Sequence, residues 1–98
     1  MTAAAPDSEE LQRLSELDFS ARGLIARARS LQGSELDAVI AQLNAIASEA
    51  ARIVYGPGKR LLQHLPDRLD LLIKYCDYYA QGDRATLIQA LRNGSFGN

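Results

Sequence analysis

Few residues of this chain have side chains suited to catalysis or metal binding, and they are scattered along the sequence. His64 is the single histidine, and no serine or cysteine stands where it would form an obvious relay with that imidazole. Cys76 is the single cysteine. It falls in helical phase with Leu69 and Leu72, which favours a small buried core residue over a reactive thiol. We therefore predict that the protein is not an enzyme and that His64 has a surface or capping role, with a pH-sensitive contact as the alternative.

The acidic side chains show no metal-binding pattern. The sequence contains no Cys-x-x-Cys, no histidine pair and no Glu-x-x-His, which are spacings typical of zinc and di-iron sites. Its carboxylates stand instead where helices are predicted to begin, a position that the helix dipole favours. We expect neither a metal ion nor a cofactor.

One segment has features of an anion-binding site. Tyr55 is followed by Gly-Pro-Gly and then by Lys59 and Arg60, and free backbone amides with two cations at a helix start suit an anion. The segment lacks the spacing of a phosphate-binding P-loop and the strand that precedes one. Lys59 and Arg60 are therefore candidate anion contacts, and a tight turn between helices with solvated charges is the competing interpretation.

Composition narrows the classes of partner. The 98 residues are 47% hydrophobic and 23% charged, which is typical of one folded domain. The net charge of −1 gives no general attraction to phosphate backbones or anionic lipid. A nucleic-acid-binding regulator is the alternative that is not favoured. It would need a basic face formed by Arg22, Arg29, Arg52, Lys59 and Arg60.

The predicted location is the cytoplasm. A single cysteine forms no intrachain disulfide, which suits a reducing compartment. The first residues carry neither the basic nor the apolar region of a signal peptide, and no run of about 18 apolar residues predicts a membrane span. We expect no membrane association, and we expect residues 1–8 to be a disordered lead-in.

Apolar residues at alternating spacings of three and four predict two long helices. Helix 1 runs from about Glu9 to Gln32 with Gly33 as a left-handed stop, and helix 2 runs from its N-cap Ser34 to about Tyr55. The apolar stripe of helix 1 comprises Leu14, Leu17, Ala21, Leu24, Ala28 and Leu31. The stripe of helix 2 comprises Leu36, Val39, Leu43, Ile46, Ala50 and Ile53, widened by Ile40, Ala47 and Val54.

A third periodic segment follows the Gly56-Pro57-Gly58 break. Its stripe comprises Leu62, Leu65, Leu69, Leu72, Cys76 and Tyr79. The segment crosses Pro66 either as one kinked helix or as a short helix at Lys59 to His64 followed by a helix that begins with Pro66. We favour the second, since a residue before proline avoids the helical region. Asp83 is predicted to cap a last short helix that ends at Gly94.

These elements predict an all-α fold, a small antiparallel helical bundle of three main helices plus a short C-terminal helix. The domain is expected to span residues 9–93, and residues 94–98 are expected to form a frayed tail unless Phe96 folds back. Charge placement predicts that Arg22, Arg27 and Arg29, in the C-terminal half of helix 1, lie near Glu35 and Asp37 at the start of helix 2.

A second apolar stripe on the third segment is the strongest indication of function. Leu71, Tyr75 and Tyr78 lie at spacings of four and three, away from the main stripe. A three-helix core buries one stripe of a helix, so a partner, a second copy or the last helix must cover these residues. We predict that they form a partner or dimer interface of a non-enzymatic adaptor, chaperone or regulator, with a homodimer as the expected state.

Overall fold

Four α-helices and one 3₁₀ turn form the part of the chain that the computed structural model describes, residues 4–56 and 61–96, with side chains from Glu9 onward. The helices are α1 (Ala4–Ala28), α2 (Gly33–Val54), α3 (Asp67–Ala80) and α4 (Arg84–Asn93), and the 3₁₀ turn is Leu62–His64. Neither described range contains a β-strand, so the predicted all-α class is confirmed and the arrangement is compatible with a helical bundle. The helix lengths fall through 25, 22, 14 and 10 residues, without a sharp division between three main helices and one short helix.

Helix α1 begins earlier than the sequence predicts. Its backbone is helical from Ala4, whereas residues 1–8 were expected to be a disordered lead-in. Pro6 lies in the first turn of the helix, where backbone N–H groups have no intrahelical partner and the missing N–H of proline costs nothing. The proline therefore does not delay the start of the helix.

Helix α1 also ends earlier, at Ala28 rather than Gln32. Arg92 of α4 donates from Nη1 to the carbonyl oxygens of Ala28 and Arg29, at 2.7 and 2.8 Å, and from Nη2 to that of Leu31, at 2.6 Å. The final carbonyl groups of a helix need such partners. A side chain from near the end of the sequence thus supplies the C-terminal cap of α1.

The turn into α2 uses Gly33 differently from the prediction. Gly33 has the expected left-handed conformation, with φ of 60°, but it is the first residue of α2 and not the stop of α1. The Leu36 N–H donates to the Gln32 carbonyl at 3.4 Å, so Gln32 is the N-cap residue. Ser34, the predicted N-cap, lies inside the first turn.

The chain breaks at Pro66, which is the alternative that the sequence favoured. Pro66 has φ of −61° and ψ of 145° and is the N-cap of α3, one position before the helical position predicted for it. The short helix before it is a 3₁₀ turn at Leu62–His64, and its predicted start at Lys59 lies outside the described residues. Leu61 is buried there while Leu62, predicted in the stripe, is 41% exposed.

The predicted boundaries of the last helix, Asp83 and Gly94, are confirmed. Asp83 caps α4 by accepting a hydrogen bond from the Thr86 N–H at 3.1 Å, and Gly94 follows α4 with a left-handed φ of 77°, which glycine adopts without strain. Beyond Gly94 the structure differs from the frayed tail, because the Phe96 side chain is only 2% exposed. Burying such a ring stabilises a protein by about 2 kcal/mol, enough to hold the chain against the core.

All four helices contribute to one apolar core. Its largest fully buried side chains are Leu14, Ile25, Val39, Ile40, Leu43, Val54, Leu69, Leu72, Leu87 and Leu91. Within the described ranges no polar or charged residue is buried. Removal of apolar surface from water therefore supplies the stability of the fold.

The apolar stripes of α1 and α2 are rotated slightly from their predicted directions. In α1 Ile25 is buried and Leu24 only half-buried, and in α2 Ala47 is buried and Ile46 only half-buried. Helix α2 packs against both α1 and α3, so its inward direction lies between two neighbours. Ile46 consequently lies at the edge of the core, beside a shallow groove between α1 and α2.

Ion pairs join the helices at places that charge placement did not predict. Asp37 at the start of α2 pairs with Arg84 of α4, not with the arginines of α1. Arg13 of α1 donates to both carboxylate oxygens of Glu49 on α2, at 2.5 and 2.8 Å, and this hydrogen bonding lowers the pKa of Glu49 from its ordinary value. Such exposed pairs orient helices more than they stabilise them.

Replacing Leu43 with Ala should lower the free energy of unfolding by about 2 to 5 kcal/mol, because the side chain is completely buried and its removal leaves a cavity. Ile46→Ala should cost less, about 1 kcal/mol, since Ile46 is half-buried at the edge of the core. Urea denaturation of the two variants measures both losses. A larger loss for Ile46 than for Leu43 would place the core on the wrong side of α2.

Candidate protein interaction surface

The predicted interface on α3 is only partly open. Leu71 and Tyr75 are half-buried against the core, whereas Tyr78 is 36% exposed. The Tyr75 ring packs edge-on against Phe96, with ring centroids 5.5 Å apart, and against Tyr78, with centroids 6.1 Å apart. Phe96 therefore covers the middle of this stripe and leaves Tyr78 at its exposed edge.

Polar contacts fix the position of α3 on either side of that stripe. Arg68, in the first turn of α3, donates from Nη1 to both carboxylate oxygens of Asp18 on α1, at 2.9 Å. The Arg84 guanidinium carbon lies 6.0 Å from the centre of the Tyr79 ring, near the limit for a cation–π contact. The stripe is thus carried by a helix that is anchored to both α1 and α4.

A second surface, on α1, carries the most exposed aromatic side chain of the described residues. Phe19 is 75% exposed, and the residues around it at helical spacings are all exposed as well. We call this surface the α1 outer face, and it comprises Gln12, Ser15, Glu16, Phe19, Arg22, Gly23 and Ala26. A Cβ atom at Gly23 would meet nothing within 4 Å, so no described element packs against this part of the face.

The α1 outer face was not identified from the sequence. Phe19 lies out of phase with the apolar stripe of helix 1, and an aromatic residue on the polar side of an amphipathic helix is the signal that could have found it. Gly23 lies inside α1, where a glycine costs stability and can mark a close contact with a second helix. Between described residues the close contact does not occur.

An open groove of about 650 Å³ runs between α2 and α3. Cys76 lines it but is only 8% exposed, and burial raises the pKa of its thiol to about 12. The prediction that Cys76 is a small buried core residue is confirmed. Because the thiolate is the reactive form, this thiol is unreactive at neutral pH.

The basic residues proposed for nucleic acid are not all brought together. Arg22 is exposed on α1, Arg29 is exposed in the turn that follows α1, and Arg52 is exposed in the last turn of α2. Arg29 precedes the start of α2, whose 22 residues span about 33 Å, so Arg29 and Arg52 lie near opposite ends of that helix. Lys59 and Arg60, the candidate anion contacts, lie outside the described residues.

The remaining candidate residues add no further site. His64 is exposed in the 3₁₀ turn. Residues 4–56 and 61–96 contain no group of three or more histidine, cysteine, aspartate or glutamate side chains that could hold a metal ion. None of the helices in these ranges combines the length and the apolar character needed to cross a membrane.

Comparison of the chain with protein-family models, with curated proteins and with solved structures gave no match. The geometry, burial and charge of the chain itself therefore carry the functional proposal.

In the folded protein Cys76 should react with an aromatic disulfide reagent far more slowly than in the unfolded chain. Its raised pKa of about 12 keeps the thiol neutral, and its burial blocks the reagent. Stability should also fall as the pH rises above 9.0, where the unfolded thiol ionises and the folded thiol does not. Thiol release at about pH 8 with and without denaturant tests the first point. Equal rates would place Cys76 at the surface.

Tyr75 and Tyr78 should respond differently to a negative charge. Tyr75→Glu should destabilise the fold by about 2 kcal/mol or more, because it sets a carboxylate against Phe96 in a half-buried contact. Tyr78→Glu should leave the fold within about 0.5 kcal/mol of the original protein, because Tyr78 is exposed. Circular dichroism during thermal unfolding compares them, and equal losses would show that both rings are structural.

Proposed function

We propose that this protein is a non-enzymatic interaction module, an adaptor, chaperone or regulator that binds other proteins through a helical surface and also associates with itself. The 75% exposure of Phe19 on α1 is the observation that carries the proposal. A cytoplasmic location is part of it, and the single free cysteine, Cys76, supports that location. The scarcity of residues suited to catalysis in the sequence supports the non-enzymatic class.

The setting of Phe19 is typical of an interaction hot spot. Burying a phenylalanine side chain stabilises a protein by about 1.5 to 3 kcal/mol. No contact within the described chain buries the Phe19 ring. Gln12, Glu16 and Arg22 surround the ring on the same face, and an aromatic anchor inside a polar rim is the usual composition of a protein interface. A partner that covers Phe19 removes this ring from water, and that burial stabilises the complex.

The α3 stripe contributes to the proposal through its edge. Phe96 covers Tyr75, so Tyr78 and the exposed part of Leu71 are what a partner can contact. Tyrosine suits such an edge, because its ring packs against the partner while its hydroxyl stays in water. We assign Tyr78 a supporting role and Phe19 the main one.

The arrangement that presents these residues is, in our proposal, an antiparallel bundle of three main helices, α1, α2 and α3, with α4 as the short fourth. Arg13 in the first half of α1 pairs with Glu49 near the end of α2, which supports opposite directions for these two helices. Arg84 at the start of α4 pairs with Asp37 at the start of α2, while Arg92 reaches the end of α1. Helix α4 then closes the end of the bundle where α1 turns into α2.

Affinity capture on the immobilised full chain tests the proposal. A partner should be retained by the original protein and by the Lys74→Glu control, which changes an exposed charge on α3. Phe19→Glu should weaken binding by about 30-fold or more, since truncated hot spots cost at least about 2 kcal/mol. Circular dichroism confirms that each variant is folded. Retention of the same proteins in the same amounts by Phe19→Glu and Tyr78→Glu would contradict the proposed function.

A further inference from the structure

We infer that the α1 outer face binds a second copy of this chain, with the two α1 helices antiparallel across a two-fold axis near Phe19. The inference rests on the proposed function, because it names a partner for a surface already assigned to binding. The charges along α1, the small residues around Phe19 and the open space at Gly23 support it together.

Apart from Arg13, which pairs with Glu16 and Glu49, charge is divided between the two halves of α1. The exposed acids before Phe19 include Glu9 and Glu16. The exposed bases after it are Arg22 and Arg27 on α1 and Arg29 in the turn that follows. No ion pair between described residues involves these three arginines. An antiparallel pair sets the acidic half of each helix against the basic half of the other, twice by symmetry. A parallel pair would set like charges together, which disfavours it.

The register follows from the position of the axis. A residue that precedes Phe19 in one copy lies opposite the residue that follows Phe19 by the same number of positions in the other copy. Glu9 precedes Phe19 by ten positions and therefore lies opposite Arg29 of the other copy, with Arg27 close by. Helical phase puts Glu9 and Arg27 on the same flank of Phe19, and the two-fold axis keeps that flank on one side of the contact. Glu16 already pairs with Arg13 at 3.2 Å. Glu9 is therefore the acid whose replacement tests the contact between the two copies best.

The shape of the face suits close packing of two helices. Ser15, Gly23 and Ala26 are small and adjoin Phe19 on the same side of α1. The space at Gly23 is open, since an added Cβ would meet nothing within 4 Å, and a residue without a side chain lets a second backbone approach. Two helices with small residues in contact pack about 8 Å apart. At that separation the Phe19 ring of each copy covers small residues of the other and leaves water.

The dimer that this contact forms is weak. A single pair of helices buries less than the about 1,200 Å² at which stable specific interfaces begin. Association therefore depends on protein concentration, and because part of the attraction is between exposed charges, it weakens as salt is added.

Sedimentation equilibrium of the full chain up to about 1 mM, where a weak dimer is populated, tests the inference. The original protein should dimerise, and Arg27→Glu should weaken the dimer about tenfold by turning two attractions into repulsions. Adding Glu9→Arg to Arg27→Glu should restore the affinity, because the swapped charges attract again only when the helices are antiparallel. Lys74→Glu, the matched change of charge away from the face, should have no effect. Phe19→Ala should weaken the dimer whatever the charges.

Three results would overturn the inference. A chain that stays monomeric at the highest concentration has no such dimer. A double variant no tighter than Arg27→Glu excludes the antiparallel register. A dimer that Tyr78→Glu weakens and Arg27→Glu does not would lie on α3. A monomeric chain would remove self-association from the proposed function, but binding to other proteins stands if a captured protein is lost on Phe19→Glu. That binding falls only if Phe19→Glu and Tyr78→Glu both leave every captured protein unchanged.

Discussion

The core of the described chain is built from apolar side chains alone, and this sets how each helix is placed. No polar or charged residue is buried within the described ranges, so each helix turns only one side inward and its other residues must find partners elsewhere. Arg92 finds one by reaching the carbonyl groups that end α1. Phe96, which follows α4, is buried in the core beside Tyr75. Nothing in the described chain does the same for Phe19, and this difference makes the outer side of α1 the surface left for a partner.

Local signals in the sequence were sufficient for most of the fold. Helical class, the break at Pro66, the Asp83 cap and the Gly94 end each depend on residues within about one turn of each other, where helix physics is local. The end of α1 was predicted wrongly, since it depends on Arg92, which lies 64 positions away from Ala28 in the chain. The start of α2 was also missed, because Ser34 resembles an N-cap while Gly33 already occupies the first helical position.

The candidate site was harder to predict than the fold, for a related reason. Periodicity shows which residues of a helix are apolar, but not which neighbour covers them. The stripe of Leu71, Tyr75 and Tyr78 was predicted to be surplus to one core. In the structure Leu71 and Tyr75 pack against the core, and part of the cover of Tyr75 comes from Phe96 in the predicted tail. No role was predicted for Phe19, because it is a single large apolar residue among polar ones on its side of the helix. Its significance depends on the absence of any described contact at Gly23, which only the packed structure shows.

The use of α1 as the contact surface can be tested most directly by recording amide chemical shifts of the full chain by nuclear magnetic resonance over a series of protein concentrations. Dimerisation through α1 predicts shifts that grow with concentration and are confined to the α1 outer face, centred on Phe19 and Gly23. Shifts centred on Tyr75 and Tyr78, or no shift anywhere in the chain, would contradict it.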